Sequence, residues 1–256
     1  MSILPELTTL NVLVVGASRG IGLGFVKEML QQSNVNQIYG TYRDRASASE
    51  LSILSNQHSQ QLTAIPMDVT DESSISKAIE QISQQIPALH VVIYCVGILH
   101  DGDFQPEKSL RQIVPENLVR YFQVNSIGAV LLAKHIMPLL RHKEPSIFAA
   151  ISAKVGSIGD NRLGGWYGYR ASKAALNMFL KTISIEYSRR CPKTIVVALH
   201  PGTTDTSLSE PFQGNVPPSK LFPVSRTVNQ LLEVMQNLEP KDSGEFFSWD
   251  GDSLPW

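Results

Sequence analysis

The chain has 256 residues, 43% of them hydrophobic and 18% charged, which excludes a collagen, a coiled coil or an intrinsically disordered chain. Its 22 basic and 23 acidic side chains leave a net charge of -1, so neither nucleic acid nor an anionic membrane is attracted in bulk and any partner must be recognised locally. Two cysteines, Cys95 and Cys191, in a chain long enough to close its own core predict a cytoplasmic protein rather than a disulfide framework. The first apolar stretch, 10–15, is too short for a signal sequence, and no window reaches the roughly 20 apolar residues of a membrane span.

Short β-branched runs alternate with segments of helical period along the whole chain. Strands are predicted at 11–15, 37–42, 62–67, 91–95, 146–152, 194–200 and 245–249. Between them helices are predicted at 20–32, 47–57, 72–85, 115–140, 167–189 and 225–238. Seven strands separated by six helices predict a single-domain, doubly wound α/β (Rossmann) fold over 1–256, because parallel strands need crossovers of a dozen or more residues. The runs VLVV, VVIY, IFAAI and IVVAL do not alternate apolar with polar, as expected for strands covered by helices on both faces. The segment 207–223 holds four prolines, follows the carboxyl end of a strand, and is expected to be a substrate lid.

The first strand runs into Gly16-Ala17-Ser18-Arg19-Gly20-Ile21-Gly22 with a helix directly behind it. Glycines let the backbone turn tightly and approach a diphosphate, whose charge is met by free N–H groups at the helix start. The same residues match G-x-S-x-G, the nucleophile elbow of α/β hydrolases, but no earlier strand-helix loop exists to supply an oxyanion donor. The second strand ends in Tyr42 and Arg43, where an acid would bind the ribose diol of NAD. Arg43 and Arg19 are placed to share a 2′-phosphate, so NADP (NADPH) is expected over NAD. Asp68 suits either a carboxylate accepting from the adenine amine or a helix N-terminal cap ahead of Val69.

Tyr169 and Lys173 stand at i and i+4, on one face of the helix 167–189. At about 4 Å and an effective dielectric near 20, an ammonium attracts a phenolate by about 4 kcal/mol, enough to bring a phenol from about 10 to near neutrality. Such a tyrosine trades protons with an alcohol or a carbonyl.

With the glycine turn, Tyr169/Lys173, Asn125 and the run Pro201-Gly202-Thr203-Thr204-Asp205-Thr206, the chain resembles the short-chain dehydrogenase/reductase family over essentially its whole length. The stretch 164–177 is similar to its branch of sniffer-like and C-factor-like carbonyl reductases. The resemblance implies reversible hydride transfer between a nicotinamide and a small-molecule carbonyl or alcohol, with Tyr169 as proton donor, Lys173 as its modulator and Asn125 as a link to solvent. It implies a dinucleotide lined by Gly16, Ser18, Arg19, Gly20, Ile21, Gly22, Arg43, Asp68, Val69, Val96, Gly97, Tyr169, Lys173, Pro201, Gly202, Thr204 and Thr206.

Two positions depart from the family pattern. Its N-N-A-G reads Tyr94-Cys95-Val96-Gly97, and its catalytic serine, three residues before Gly156, is Ala153. Ser152, one position earlier, is the candidate for the catalytic hydroxyl, with Ser157 as an outsider. A dinucleotide-binding signalling protein with little or no turnover is therefore carried as the alternative to a reductase.

Histidines 58, 90, 100, 135, 142 and 200 show no metal-ligand spacing, and no metal is expected. The apolar faces of helix 127–140 and of the Tyr169 helix serve either the sheet or a second copy of the chain, so a homo-oligomer stays open.

Overall fold

The computed structural model describes residues 3–256. Chain order runs β1 (Leu10–Val15), α1 (Gly20–Met29), β2 (Val35–Tyr42), α2 (Ser49–Gln57), β3 (Leu62–Pro66), α3 (Glu72–Ser83) and β4 (Val91–Tyr94). It continues through α4 (Pro115–Phe122), α5 (Gly128–Leu140), β5 (Ser146–Ile151), α6 (Tyr167–Arg190), β6 (Thr194–His200), β7 (Thr203–Thr204), β8 (Leu221–Phe222), α7 (Val224–Gln236) and β9 (Glu245–Ser248).

Seven strands form one sheet in the order β3-β2-β1-β4-β5-β6-β9, every pair parallel. The doubly wound fold expected from the alternation of runs is the fold observed. Parallel strands carry helices on both faces, and all six residues of β1 are accordingly buried. Leu13 and Val15 point into a core shared with α3, α5 and α6. Val12 and Val14 point into the other, shared with α1 and α7. The direction of winding reverses between β1 and β4, and a crevice opens beyond the carboxyl ends of these two strands.

Two expectations change in detail. The predicted helix 115–140 is interrupted by a π-helical segment, Gln123–Ile127, which separates α4 from α5. A widened turn of this kind inserts an extra residue, and here it carries the fully buried Asn125 toward the loop after β4. The segment 207–223 is partly ordered by main-chain bonding: it contains 3-10 turns at Glu210–Asn215 and Pro218–Lys220, and it ends in β8, paired to β7.

Candidate active site

The glycine turn connects β1 to α1 where the winding reverses. Gly16 and Gly20 adopt φ of +83° and +55°, a region costly for other residues. A Cβ on Gly22 would collide with the Gly16 carbonyl oxygen, so the turn closes only with glycine there. The Gly16 N–H donates to Thr41 Oγ1 at 3.1 Å and the Ala17 N–H to the Thr41 carbonyl at 2.7 Å, which fixes the turn against β2. Arg19 caps α1 in an extended conformation without a side-chain bond, so the first N–H groups of the helix have no capping side chain. Such a helix start fits a diphosphate.

Arg19 and Arg43 are exposed, and among the described residues neither makes an ion pair. Asp44 does not neutralise Arg43, because its carboxylate accepts the Ala46 N–H at 3.0 Å. Asp68 is not the cap of α3; that role belongs to Asp71, which accepts the Ser73 N–H at 2.9 Å. Asp68 instead holds the N–H and hydroxyl of Thr70 through one oxygen, Oδ1. Val69 is buried against the start of α5, and Ser18 and Ile21 stay half-buried in the turn.

Beyond β4, Val96 packs its Cγ2 2.8 Å from where a Gly16 Cβ would stand. At Gly97 a Cβ would come within 3.5 Å of Lys173 Nζ and 3.6 Å of Asn125 Oδ1, so glycine keeps a cradle open beside the lysine. Tyr94, at the first position of the family's N-N-A-G, donates its hydroxyl to the Val124 carbonyl in the π segment at 3.1 Å. Asn125 accepts from the Ile98 N–H at 2.7 Å and donates to the Ile98 carbonyl and to Ser172 Oγ, both at 3.0 Å. Its carboxamide therefore clamps the β4 loop to α6.

Of the Pro201–Thr206 run, Gly202 has φ +71° and lies under Phe222 and Trp249. Thr206 reaches the glycine turn, its Cγ2 3.4 Å from a Cβ placed on Gly20. Thr204 is buried with its hydroxyl 2.8 Å from that of Thr227, so its side chain docks α7 instead of facing the cleft.

Helix α6 begins at the carboxyl end of the sheet and carries both Tyr169 (7% exposed) and Lys173 (3% exposed) on its buried side. Lys173 Nζ donates to the Ile151 carbonyl at 3.0 Å and lies 5.9 Å from the centroid of the Tyr169 ring. Here the structure corrects the simple ion-pair argument. Burial pulls the Lys173 ammonium down to about 8, countered in part by Cys95 beside it, and the same desolvation pushes the Tyr169 phenol up. At neutral pH the phenol is protonated.

Ser152 does not bring its hydroxyl to Tyr169. The side chain is 2% exposed and donates to Asn177 Oδ1 at 2.5 Å, deep against α6. Adjacent side chains at a strand end point to opposite faces, and it is Ala153 that packs in the cluster around Tyr169. Ser157 is also turned away, its Oγ accepting the Asp160 N–H at 3.1 Å.

Two residues that sequence reasoning missed shape this corner. Glu107, 2% exposed, accepts the Gly168 N–H through Oε2 at 3.1 Å, and its carbonyl accepts the Trp166 N–H at 2.5 Å. Its other oxygen is buried without a partner. Trp166 sits at φ +52°, a strained position for a bulky residue, and follows Gly164 and Gly165, both at +66°. That left-handed run aims the indole edge-on at Tyr169 (centroids 6.2 Å) and at Phe212 of the 207–223 segment (5.0 Å). Beyond Trp166 and Phe212 opens a cavity of about 620 Å³, also bounded by Gln105, Lys108 and Asn215. A single acid in a loop sixty residues before the helix it caps carries no local spacing signal. Gly164-Gly165-Trp166 did offer one, since paired glycines mark a special turn.

Residues 10–216 match the short chain dehydrogenase family, and the chain belongs to it. The fold is similar to the NADPH-bound carbonyl reductase from chicken fatty liver, with a TM-score of 0.87, 32% identity, and coverage of 98% of this chain and 100% of the other. It is similar to the carbonyl reductase Sniffer of D. melanogaster, with a TM-score of 0.85, 26% identity, and coverage of 97% and 100%. C-signal of Myxococcus xanthus is 32% identical over 140 residues, 55% of this chain and 79% of its own length. The protein is therefore an oxidoreductase of the short-chain dehydrogenase/reductase type. Among the described residues no helix is long and apolar enough to cross a membrane.

Proposed function

We propose that this protein is an NADPH-dependent carbonyl reductase. The observation that carries the reading is the pair Tyr169 and Lys173, one turn apart on the buried side of α6, at the strand ends where the glycine turn also opens. The bound nicotinamide would supply a hydride to the carbonyl carbon. The preference for NADP rests on Arg19 and Arg43, whose guanidinium groups suit a phosphate bidentately, and on the likeness to an NADPH-bound reductase.

Tyr169, which burial keeps protonated at neutral pH, donates the proton from Oη to the substrate oxygen. Lys173, lowered to about 8 by burial and still mostly protonated at neutral pH, stabilises the phenolate left behind and would attract the bound dinucleotide. Asn125 holds the Gly97–Ile98 main chain against α6. Leu208 and Phe212 of the lid pack against the Tyr169 cluster and exclude water from it. Reduction is thus the favoured direction near neutrality, and oxidation, which needs the phenolate, gains as pH rises.

The test is NADPH oxidation over aldehydes, ketones and quinones with Tyr169→Phe as control. Turnover is expected in the wild type and a loss of about 10²–10⁴-fold in the variant, with NADPH affinity unchanged. Equal, slow NADPH consumption by both proteins despite tight binding would instead support a dinucleotide-binding signalling role.

A further inference from the structure

We propose that His142 and Glu144, backed by His90, form a binding site for one divalent transition-metal ion of the zinc class, at the end of the sheet opposite the crevice. The site is independent of the reductase reading. His90 stands at the amino end of β4 and the loop 141–145 leads into the amino end of β5, whereas the crevice lies beyond the carboxyl ends of the strands.

The hydrogen bonds of the two imidazoles assign their protons. His142 Nε2 donates to the Leu89 carbonyl at 2.8 Å, so that nitrogen carries the proton and Nδ1 keeps its lone pair. Nδ1 is buried and has no hydrogen-bond partner. A bare buried acceptor is destabilising, and a metal ion satisfies it. An imidazole whose other N–H is tied to a main-chain carbonyl is the usual form of a metal-ligating histidine.

His90, 3% exposed, has the other role. Its Nδ1 accepts the Asn11 N–H at 3.0 Å, so its proton is on Nε2, which donates to Glu144 Oε2 at 2.9 Å. It is therefore not a ligand; it fixes one carboxylate oxygen and leaves Oε1 for the ion. The two rings lie 5.2 Å apart, and the nitrogen and oxygen atoms that the three residues offer lie within 4.8 Å of one another. A single ion draws two ligand atoms to roughly 3–4 Å. The Glu144 side chain, 57% exposed, closes that difference by turning about its His90-held oxygen, and it leaves the ion a path from solvent. Water completes the coordination.

The donor set selects the metal. One imidazole nitrogen with one carboxylate oxygen suits zinc, nickel or copper, whereas calcium and magnesium take shells of oxygen. A second histidine-carboxylate pair, His135 and Glu72 at 3.0 Å, shows what excludes a cation: Lys134 Nζ holds the same Glu72 oxygen at 2.7 Å. An ammonium in that position repels a metal ion.

The experiment titrates the chelator-dialysed full chain with zinc chloride in a calorimeter and follows its melting temperature. One zinc ion per chain is expected, with a rise of about 3 °C when free zinc stands tenfold above its dissociation constant. Calcium and magnesium are expected to give no rise at the same concentration. His142→Ala and Glu144→Gln should each weaken zinc affinity at least about tenfold, and His135→Ala should change it less than about twofold. Glu144→Gln keeps an acceptor for His90 on an exposed side chain, so the test survives if His142→Ala does not fold. No zinc uptake below about 1 mM, equal affinity in the wild type and Glu144→Gln, a loss with His135→Ala, or an equal response to calcium overturns the proposal.

Discussion

The turn after β1 and the corner after β5 flank one crevice, yet they are built in opposite ways. Gly16–Gly22 is a main-chain device: seven consecutive residues make the turn, and its outside partners are the main chain and hydroxyl of Thr41. The corner at Tyr169 is assembled from Ile98–Glu107, Tyr121, Ala153, Trp166 and the 207–223 segment, parts of the chain more than a hundred residues apart. A backbone site tolerates variation around it but none at its glycines. A side-chain site holds its shape only while every buried contributor stays satisfied, and so it is where substrate preference can drift.

The contrast can be broken at either end. The largest effect is expected at Lys173. Its pKa in the folded chain, about 8, lies below the ordinary 10.5, so between these values the unfolded chain binds more protons and stability rises with pH. The full gain is about 3 kcal/mol. It is best read between pH 8 and 9, because above that range Cys95, whose thiol burial pushes up, acts with the opposite sign. Urea unfolding of the wild type is expected to show this rise and Lys173→Met to lack it; parallel curves would place the lysine in water.

At the glycine end, Gly22→Ala drives a Cβ into the Gly16 carbonyl. A loss of about 1–3 kcal/mol in stability is expected, together with loss of NADPH binding by titration calorimetry. At the Tyr169 corner, Glu107→Ala leaves the buried Gly168 N–H without its acceptor and should also cost about 1–3 kcal/mol, whereas Glu107→Gln keeps an acceptor and should cost less. NADPH affinity is expected to survive both Glu107 variants, which is what separates the two regions; a matching loss of affinity would join them. The smallest effect is selectivity: Arg43→Ala should lower the ratio of NADPH to NADH affinity about tenfold, and Arg19→Ala similarly.

The fold was legible because parallel strands buried on both sides must be continuous apolar runs, and every one of the seven fell within two residues of its observed ends. The π segment was not legible, since Gln123–Ile127 has the same apolar period as the helices on either side and only the reach of Asn125 to Ile98 shows why the turn widens. The positions of Tyr169 and Lys173 on one helical face followed from a spacing of four. Their electrostatics did not, because a pairwise attraction assumes an exposed dielectric and both groups are desolvated.

What the residue order determined by itself was whatever depends on neighbours in the chain: strand and helix periods, the glycine turn, the i and i+4 pair, and the absence of a serine three residues before Gly156. The fate of the Ser152 hydroxyl, the cap that Glu107 places on α6 and the aromatic walls were decided only in three dimensions. Burial and hydrogen-bond satisfaction are properties of the packed whole, and a polar group takes the partner that the fold brings within reach.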